Sequence, residues 1–463
     1  MKPRRLVAML VLCVLLAAAG CGGGDDEGAS GSDKSITFWT AEDTADRVAA
    51  TQKIAATFQQ KTGIQVKVVA IAEDQLPSQI QSASAGGTLP DVMGALSLGL
   101  VHSLAADDLA DQDAANEVID SLGRDTFSQR ALALVDADGK PVAVPSDTWT
   151  QLLVYRKDLF EKAGLDTPDT FDKILAAATK LKQPGRNGIV VATKAGDGFT
   201  QQTFEYFALA NGCQLTDDQG NIQLTRPPCV ATFKFYGDLI SGGSSKGGQD
   251  VDTTRASYFA GKSAMIVWSS FLLDELAGLR KDALPTCPEC RADKRFLAKN
   301  SGIVTAISGP NGSEPTQFGE LTNFAIIKDG NTDPAKQFVE FMMSDGYADW
   351  LALAPEGKIP TRTGTKGNPK EYSEAWGKLR AGVDEKAPLA DLYPPEVLEA
   401  LTKSTDTMSR WGFQQGQGRV VGALAAEQPI PKALAAELDG QLTPDAAAKQ
   451  AQADVEEIAQ SVK

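Results

Sequence analysis

Short apolar runs alternate along the chain with longer segments whose apolar residues recur every three or four positions. The runs at 36–39, 64–71 and 90–93 are typical of strands, and the intervening segments at 44–62 and 74–85 are typical of amphipathic helices. Strands that alternate with helices in this way predict a parallel sheet covered by helices. The pattern therefore favours an α/β fold.

The stretch 144–181 is the most regular part of this pattern. It contains the apolar run 152–155, of the kind found in strands buried on both faces of a mostly parallel sheet. Gly164 ends a short helix after that strand, and Thr170 begins a second helix as its N-cap. The apolar face of the second helix consists of Phe171, Ile174, Leu175, Ala178 and Leu181.

The second part of the chain continues the alternation of helices and strands. Residues 257–268 predict a helix that turns into a strand ending at Trp268. Residues 317–327 predict a further strand, and 333–343 predict the helix after it. A last helix begins at Thr443, where a proline follows the N-cap.

The first residues resemble the leader of a bacterial lipoprotein. Three basic residues precede an apolar run at 6–16, which is shorter than the roughly 20 residues needed to span a bilayer. Residues 18–21 resemble a lipobox, with an alanine in place of the usual leucine. We therefore expect residues 1–20 to be a signal peptide, Cys21 to carry lipid, and residues 21–35 to form a flexible tether.

Length and charge limit the possible partners. The chain has 463 residues, more than one hydrophobic core usually supports, so two lobes are expected. Its net charge is −15, and no stripe of clustered Lys and Arg is present. Nucleic acid binding requires such a stripe. We therefore exclude nucleic acid as a partner.

Six cysteines are present, of which one leaves with the leader and one carries the lipid. The other four permit three disulfide connectivities in an oxidising compartment. We favour Cys213 with Cys229 and Cys287 with Cys290, where the first loop would contribute about 3 kcal/mol. Zinc is the alternative for the second pair, but the first pair lacks ligand spacing. We expect no metal and no cofactor.

Sequence motifs typical of catalytic sites are either missing or lie in segments that do not suit them. The only histidine, His102, is expected at the surface or as a helix cap. Residues 243–247 match a nucleophile elbow by letters but have no strand before them. Residues 261–263 lack the first glycine of a phosphate loop. Residues 217–221 fit a hairpin turn better than a calcium loop, so we expect no enzymatic activity.

Several of these segments resemble bacterial extracellular solute-binding proteins of family 1, the maltose-binding-protein-like sugar receptors of ABC transporters. The resemblance covers nearly everything from Ile36 to Lys463 and is carried by segments 36–93, 138–181, 257–268, 317–327 and 333–362. It implies a two-lobed fold of type II, in which each lobe is a mostly parallel sheet flanked by helices and a hinge joins the lobes. The implied boundaries are 36–146 and 316–362 for the first lobe, and 147–315 and 363–463 for the second.

The resemblance also implies where a ligand would bind. In such proteins a residue just before the crossing strand faces the ligand, and here it is Trp149. Strand ends face the crevice of open α/β folds, and sugars need aromatic plates with buried polar groups around them. Of the other tryptophans, Trp350 is expected in the core, and Trp411 is favoured over Trp376 as a further plate. The aromatic candidates are Trp39, Trp149, Trp268, Phe271 and Trp411. The polar candidates are Glu42, Asp43, Ser97, Asp147, Asp197, Gln201, Ser269, Glu320 and Thr322.

The expected function is that of a lipid-anchored substrate-binding protein of an ABC-type carbohydrate importer, on the outer face of the cell membrane. A sugar or oligosaccharide would bind between the lobes and close the hinge. Its partners would be the carbohydrate, the membrane permease subunits and, through the anchor, the membrane; we expect a monomer. Two alternatives stay open. A same-fold receptor for a non-sugar solute would need clustered charges in the crevice, and a glycan hydrolase would need two carboxylates at a fixed separation.

Overall fold

The computed structural model describes residues 34–462. The predicted signal peptide, Cys21 and almost all of the predicted tether lie outside the described residues. The strands are β1 Ser35–Thr40, β2 Gln65–Ala70, β3 Val92–Ser97, β4 Asp136–Ala137, β5 Lys140–Pro141, β6 Val144–Arg156, β7 Met265–Ser269, β8 Ser301–Val304, β9 Gln317–Ile326, β10 Ile359–Pro360, β11 Arg380–Ala381, β12 Ala387–Pro388 and β13 Met408–Ser409.

The helices follow the predicted alternation. They are α1 Ala45–Thr62, α2 Leu76–Gly86, α3 Leu98–Ala106, α4 Gln112–Leu122, α5 Gln129–Leu134, α6 Lys157–Ala163, α7 Phe171–Leu181, α8 Gly198–Ala210, α9 Pro227–Gly243, α10 Val251–Phe259, α11 Leu272–Leu276, α12 Phe296–Asn300, α13 Thr332–Met342, α14 Tyr347–Leu351, α15 Glu371–Trp376, α16 Pro395–Thr407, α17 Gly418–Glu427, α18 Pro429–Leu438 and α19 Pro444–Ser461. The predicted N-caps are confirmed, because the Thr170 hydroxyl accepts from the Lys173 amide and the Thr443 hydroxyl from the Ala446 amide.

One sheet organises both halves of the molecule, with the strand order β10-β6-β9-β3-β1-β2. Strand β1 pairs in parallel with β2 and β3, as the sequence predicts. Strand β9 runs antiparallel between β3 and β6. The chain therefore returns to the first half of the sheet through β9, which joins β3 to β6.

Strand β6 passes from one half of the molecule to the other. Its first part, Val144–Thr150, pairs with β9, and its second part, from Gln151 onward, pairs antiparallel with β7 and β8. Among the described residues, parallel pairing in this second half is limited to the short strand β13, which pairs with β9, and to isolated bridges such as Val190 with Ile266. The second half of the sheet therefore differs from the mostly parallel sheet that the sequence predicts. The reason is that apolar periodicity indicates which faces of a strand are buried but not the direction of the neighbouring strand.

Each half buries both faces of its sheet. Leu152 and Val154 of β6 pack into one apolar cluster and Leu153 into another, since successive residues of a strand point to opposite faces. All three are fully buried, as predicted for this run. In the first half, Val92 and Met93 of β3 divide between two clusters in the same way.

The C-terminal residues contact both halves. Helix α17 lies against α3, and the backbones approach so closely that a Cβ on Gly99 would stand 3.2 Å from the Cα of Gly422. Tyr372 packs into an apolar cluster of the first half, whereas Trp376 packs into one of the second. Residues 363–463 therefore do not pack on the second lobe alone.

Several single residues have a definite outcome. The disulfides Cys213–Cys229 and Cys287–Cys290 are present, which confirms the favoured pairing and removes zinc as their partner. Trp350 is buried in the core as expected. The surface or capping role expected for His102 is wrong, because its ring is buried and its Nε2 lies 2.9 Å from the Leu134 carbonyl oxygen. Within residues 34–462, no helix is long and apolar enough to cross a membrane.

Candidate functional site

A cavity of about 560 Å³ opens where the two halves face each other. Residues after β1, the end of β3 and the short turn before α2 form one wall, and α8, the end of β7 and the C-terminal segment around Trp411 form the other. The middle of β6 and of β9 forms the floor. Strands that belong to both halves therefore lie directly beneath the cavity.

Most of the predicted ligand residues meet at this cavity. Those that line it are Glu42, Ser97, Asp147, Trp149, Gln201, Ser269, Phe271, Glu320, Thr322 and Trp411. They come from segments more than 360 positions apart in the chain. Their roles toward a ligand remain predictions.

Four predicted residues lie elsewhere. Trp39 packs, half-buried, against an apolar cluster of the first half, and Asp43 is exposed to solvent. Asp197 caps α8 by accepting a hydrogen bond from the Thr200 amide. Trp268 is buried, and its indole Nε1 donates to the Val251 carbonyl oxygen at 3.0 Å. Phe199, which packs edge-on against Trp268, lines the cavity in its place.

Aromatic rings stand on both sides of the cavity. Trp149 is half-buried on β6 and packs against Phe318 with the ring centroids 5.8 Å apart. Trp411 is almost completely buried, and its indole Nε1 donates to the Cys213 carbonyl oxygen at 2.8 Å. Phe271 lies across the cavity beneath the guanidinium of Arg47, at 5.5 Å from the ring centroid. The half-buried rings of Trp149 and Phe271 offer flat apolar surfaces of the kind that stack on a sugar ring, whereas the buried Trp411 forms part of the wall.

A buried ion cluster around Lys358 supports the first wall. The Lys358 Nζ lies 2.6 Å from Glu42 and 3.4 Å from Asp147, and Arg47 bonds the second oxygen of Glu42 at 2.9 Å. Asp147 also accepts hydrogen bonds from the Trp350 indole and the Ser146 hydroxyl. Burial alone would raise the pKa of Glu42, but its two cationic partners hold that pKa below its usual range.

A second ion cluster, around Arg410, supports the other wall. Arg410 bonds Glu205 at 3.0 Å through its Nε and pairs with Glu320 through Nη1. Glu320 also accepts from the Leu98 amide, the first residue of α3. Burial raises the pKa of Glu205, although Arg410 opposes the shift. Because Glu320 belongs to a crossing strand and Glu205 to α8, the cluster joins the floor to the second wall.

Sequence reasoning missed the cationic side chains of the site. Arg47, Lys358 and Arg410 all line the cavity, as do Glu73 and Phe199. The one sequence signal for any of these cations is that Arg410 directly precedes Trp411, a predicted ligand residue. Nothing in the spacing of Lys358 indicates that it pairs with a glutamate more than 300 residues earlier.

A larger groove, of about 700 Å³, lies between α9, α18 and α19. Its lining residues all belong to the second half of the molecule, and none of them is aromatic. Among the described residues, no cluster of His, Cys, Asp and Glu could hold a metal ion. The cavity between the halves is therefore the candidate ligand site.

An α/β fold of two halves, with crossing strands beneath a polar and aromatic cavity, defines a solute-binding protein. The chain belongs to the family of bacterial extracellular solute-binding proteins, whose family model matches residues 41–349. It is 28% identical to the putative ABC transporter periplasmic-binding protein YcjN of Escherichia coli over 363 residues, which are 77% of this chain and 78% of that protein.

Solved structures show the same fold. The GacH receptor of Streptomyces glaucescens, solved unliganded and with acarbose, superposes with a TM-score of 0.70 at 18% identity, covering 93% of this chain and 99% of that one. The maltose-bound MalE3 of T. maritima gives a TM-score of 0.68 at 20% identity, covering 91% and 99%. These likenesses confirm the predicted type II two-lobed fold.

Proposed function

We propose that this protein is the extracytoplasmic, lipid-anchored substrate-binding component of an ABC-type importer, and that its substrate is a sugar or oligosaccharide. The observation that supports the substrate class is the cavity itself, in which Trp149, Phe271 and Trp411 surround polar side chains. Rings that stack on C–H faces, with fixed polar groups at their edges, suit a carbohydrate.

The comparisons support the same proposal. YcjN is named as a periplasmic-binding protein of an ABC transporter, and GacH and MalE3 hold acarbose and maltose. A shorter match, over 29% of this chain, is to the sn-glycerol-3-phosphate-binding periplasmic protein UgpB of Brucella abortus. The membrane permease subunits of the importer are the proposed protein partners, and the monomer is the proposed form.

The proposed mechanism is hinge closure. We assign residues 36–146 and 316–362 to the first lobe and 147–315 to the second, with the hinge in β6 and β9, because both strands pair on both sides of the cavity. A ligand that contacts both walls binds the closed form better and shifts the population toward it. Residues 363–463 are assigned to the second lobe, with helix α17 contacting the first lobe across the cavity.

We propose no catalysis at this site. Of the carboxyl groups that line the cavity, those of Glu42, Asp147, Glu205 and Glu320 are held by Lys358, Arg47 and Arg410. Among the described residues this leaves Glu73 as the one lining carboxyl without a cation, whereas a glycan hydrolase needs a pair of carboxyl groups at a fixed separation. Incubation with a panel of glycans should leave every glycan intact. The appearance of shorter products would favour the hydrolase.

A thermal-shift screen across mono- and oligosaccharides tests the function, since a ligand that binds only the folded protein raises its Tm. With a saccharide in hand, Trp149→Ala should lower its affinity by about tenfold or more in calorimetry, because the indole plate is lost. Trp39→Ala is the control, an indole outside the cavity, and should bind as the wild type does. Equal affinity of Trp149→Ala and the wild type would remove Trp149 from the site.

A further inference from the structure

The charges that line the cavity do not balance. Its cations are Arg47, Lys358 and Arg410, and no other lysine or arginine lines it among the described residues. Each of the three is already paired with a carboxylate: Arg47 with Glu42, Lys358 with Glu42 and Asp147, and Arg410 with Glu205 and Glu320. The cavity therefore has no cation left to receive a negatively charged ligand.

A further carboxylate, that of Glu73, lines the cavity without a cationic partner. It lies in the short turn before α2, and its side chain is exposed and makes no hydrogen bond or ion pair with any residue in the described part of the chain. Neighbouring groups still reduce the hydration of its carboxylate, and the carboxylates of Glu320, Glu42 and Asp43 repel its charge, so its pKa is raised. An opposite charge on the ligand would relieve this repulsion.

Other unsatisfied groups at the cavity are also acceptors. The side-chain Oε1 atoms of Gln201 and Gln428 are buried and have no hydrogen-bond partner within residues 34–462. The Gln428 amide nitrogen is already used, because it donates to the Ala425 carbonyl oxygen at 2.7 Å. Both oxygen atoms are enclosed, so the unpartnered acceptor that a ligand reaches directly is the carboxylate of Glu73, whose side chain is exposed.

We infer that the ligand carries a protonated amine, and that Glu73 is the residue that selects an amino sugar over its neutral counterpart. The inference rests on the proposed carbohydrate function and specifies its substrate class. An ammonium group brings donors and a positive charge and no acceptor, which matches a cavity that has an unpartnered carboxylate and more carboxylates than cations. A phosphorylated sugar is disfavoured for the same reason.

Matched saccharides that differ only in the amine test this inference. Calorimetry at about pH 7 compares glucose, glucosamine and N-acetylglucosamine, then cellobiose with the β-1,4-linked dimers of glucosamine and of N-acetylglucosamine, and the amino form of any neutral saccharide that the thermal screen finds. The free amine should bind about tenfold or more tightly than the hydroxyl and acetamide forms, as expected for a hydrogen bond to a charged group. Added salt should reduce this preference, since a charge at the cavity mouth is screened.

The variant Glu73→Gln should remove the preference for the amine, so that the ratio of the affinities for the amino and neutral saccharides falls to about one. Asp74→Asn is the matched control, because it removes the same charge one residue away, outside the cavity lining. If neutral saccharides bind and their amino forms bind no more tightly, the inference is overturned while the proposed function stands. If Asp74→Asn lowers the preference as much as Glu73→Gln, Glu73 is not the selecting residue. If no saccharide of either kind binds, the proposed function itself fails.

Discussion

Lys358 and Arg410 are each surrounded by two carboxylates and almost completely buried. Desolvation of such charges costs several kcal/mol and is offset only when every partner is in place. Both clusters also include a residue of a crossing strand, Asp147 or Glu320. The side chains that shape the cavity floor are therefore held by contacts that a ligand does not need to supply.

Removal of the Lys358 charge should destabilise the fold. Lys358→Met leaves the buried carboxylate of Asp147 without a cation, so the free energy of unfolding should fall by about 3–5 kcal/mol in urea titrations. Lys61→Met is the control, because the pair of Lys61 with Asp345 is exposed on both sides and should contribute less than about 1 kcal/mol. Equal losses in the two variants would mean that the buried cluster contributes no more than a surface pair.

Glu356 gives a prediction about pH. Burial raises the pKa of this carboxyl, the neighbouring Asp274 carboxyl raises it further, and Arg47 and Arg280 only partly oppose the shift. Its Oε2 has no hydrogen-bond partner among the described residues. A carboxyl whose pKa is raised by folding stabilises the protein fully only below its unfolded pKa, and that contribution is lost as the pH rises toward the folded pKa.

Glu356→Gln should therefore make the Tm depend less on pH above about pH 5, since the amide resembles the protonated carboxyl and cannot ionise. The free energy of unfolding of Glu356→Gln should exceed that of the wild type by a small amount near pH 5 and by on the order of 1 kcal/mol or more near pH 9. Glu374→Gln, at an exposed position of α15, is the matched control and should follow the wild-type curve. Parallel curves for wild type and Glu356→Gln would contradict the prediction.

At the level of single residues, the sequence predicted the aromatic and acidic side chains at strand ends but not the cations that hold the acids. Trp149 was found because it comes just before the apolar run 152–155, where the family resemblance implies a residue that faces the ligand. The partner of a buried acid is decided by the tertiary fold, and Glu205 and Arg410 are 205 positions apart. For the same reason Trp268 was assigned to the cavity, although its ring turns into the core on the other face of β7.

Helices and strands with local signals were predicted well. Thr170 and Thr443 carry N-cap hydroxyls, and Gly63 and Gly164 end helices with positive φ angles of 78° and 62°. The direction of β7 and β8 had no such signal, since strand direction depends on the path of the chain rather than on the composition of the strand. The contact of α17 with α3 likewise depends on residues from opposite ends of the sequence.

The two disulfides stabilise elements of the second half to different extents. Cys213–Cys229 joins the end of α8 to the start of α9 across 16 positions, whereas Cys287–Cys290 closes only 3. Chain entropy predicts a contribution of about 3 kcal/mol for the longer loop and about half of that for the shorter one. The double variant Cys213→Ser/Cys229→Ser should therefore lose more stability in urea than Cys287→Ser/Cys290→Ser.

The comparison is matched, because all four cysteines are buried and each variant introduces two serines. A reducing agent added to the wild type should reproduce the combined loss. A larger loss from the 287–290 pair would show that its contribution comes from packing rather than from loop closure.

Across the whole molecule, the two halves share strands and are joined by the packing of α17 on α3. The cavity lies between them, and the ring of Phe271 reaches Arg47 on α1 across it. A ligand that fills this cavity adds contacts to both walls of a closed arrangement. The energy of closure must then come from differential binding, since a ligand shifts an equilibrium only by the difference in its affinities for the two states.

Saccharide binding should therefore shrink the protein as well as stabilise it. At a concentration of about 100 times Kd, the ligand should add about 2.7 kcal/mol to the stability, and the radius of gyration in small-angle X-ray scattering should decrease. At a lower concentration, near the wild-type Kd, the same saccharide should contract Trp149→Ala much less than the wild type, because a variant with about tenfold weaker affinity is then only about one-tenth liganded while the wild type is about half liganded. A rise in Tm without contraction would mean that the ligand occupies a cavity between halves already fixed in place, and that β6 and β9 act as a rigid floor rather than a hinge.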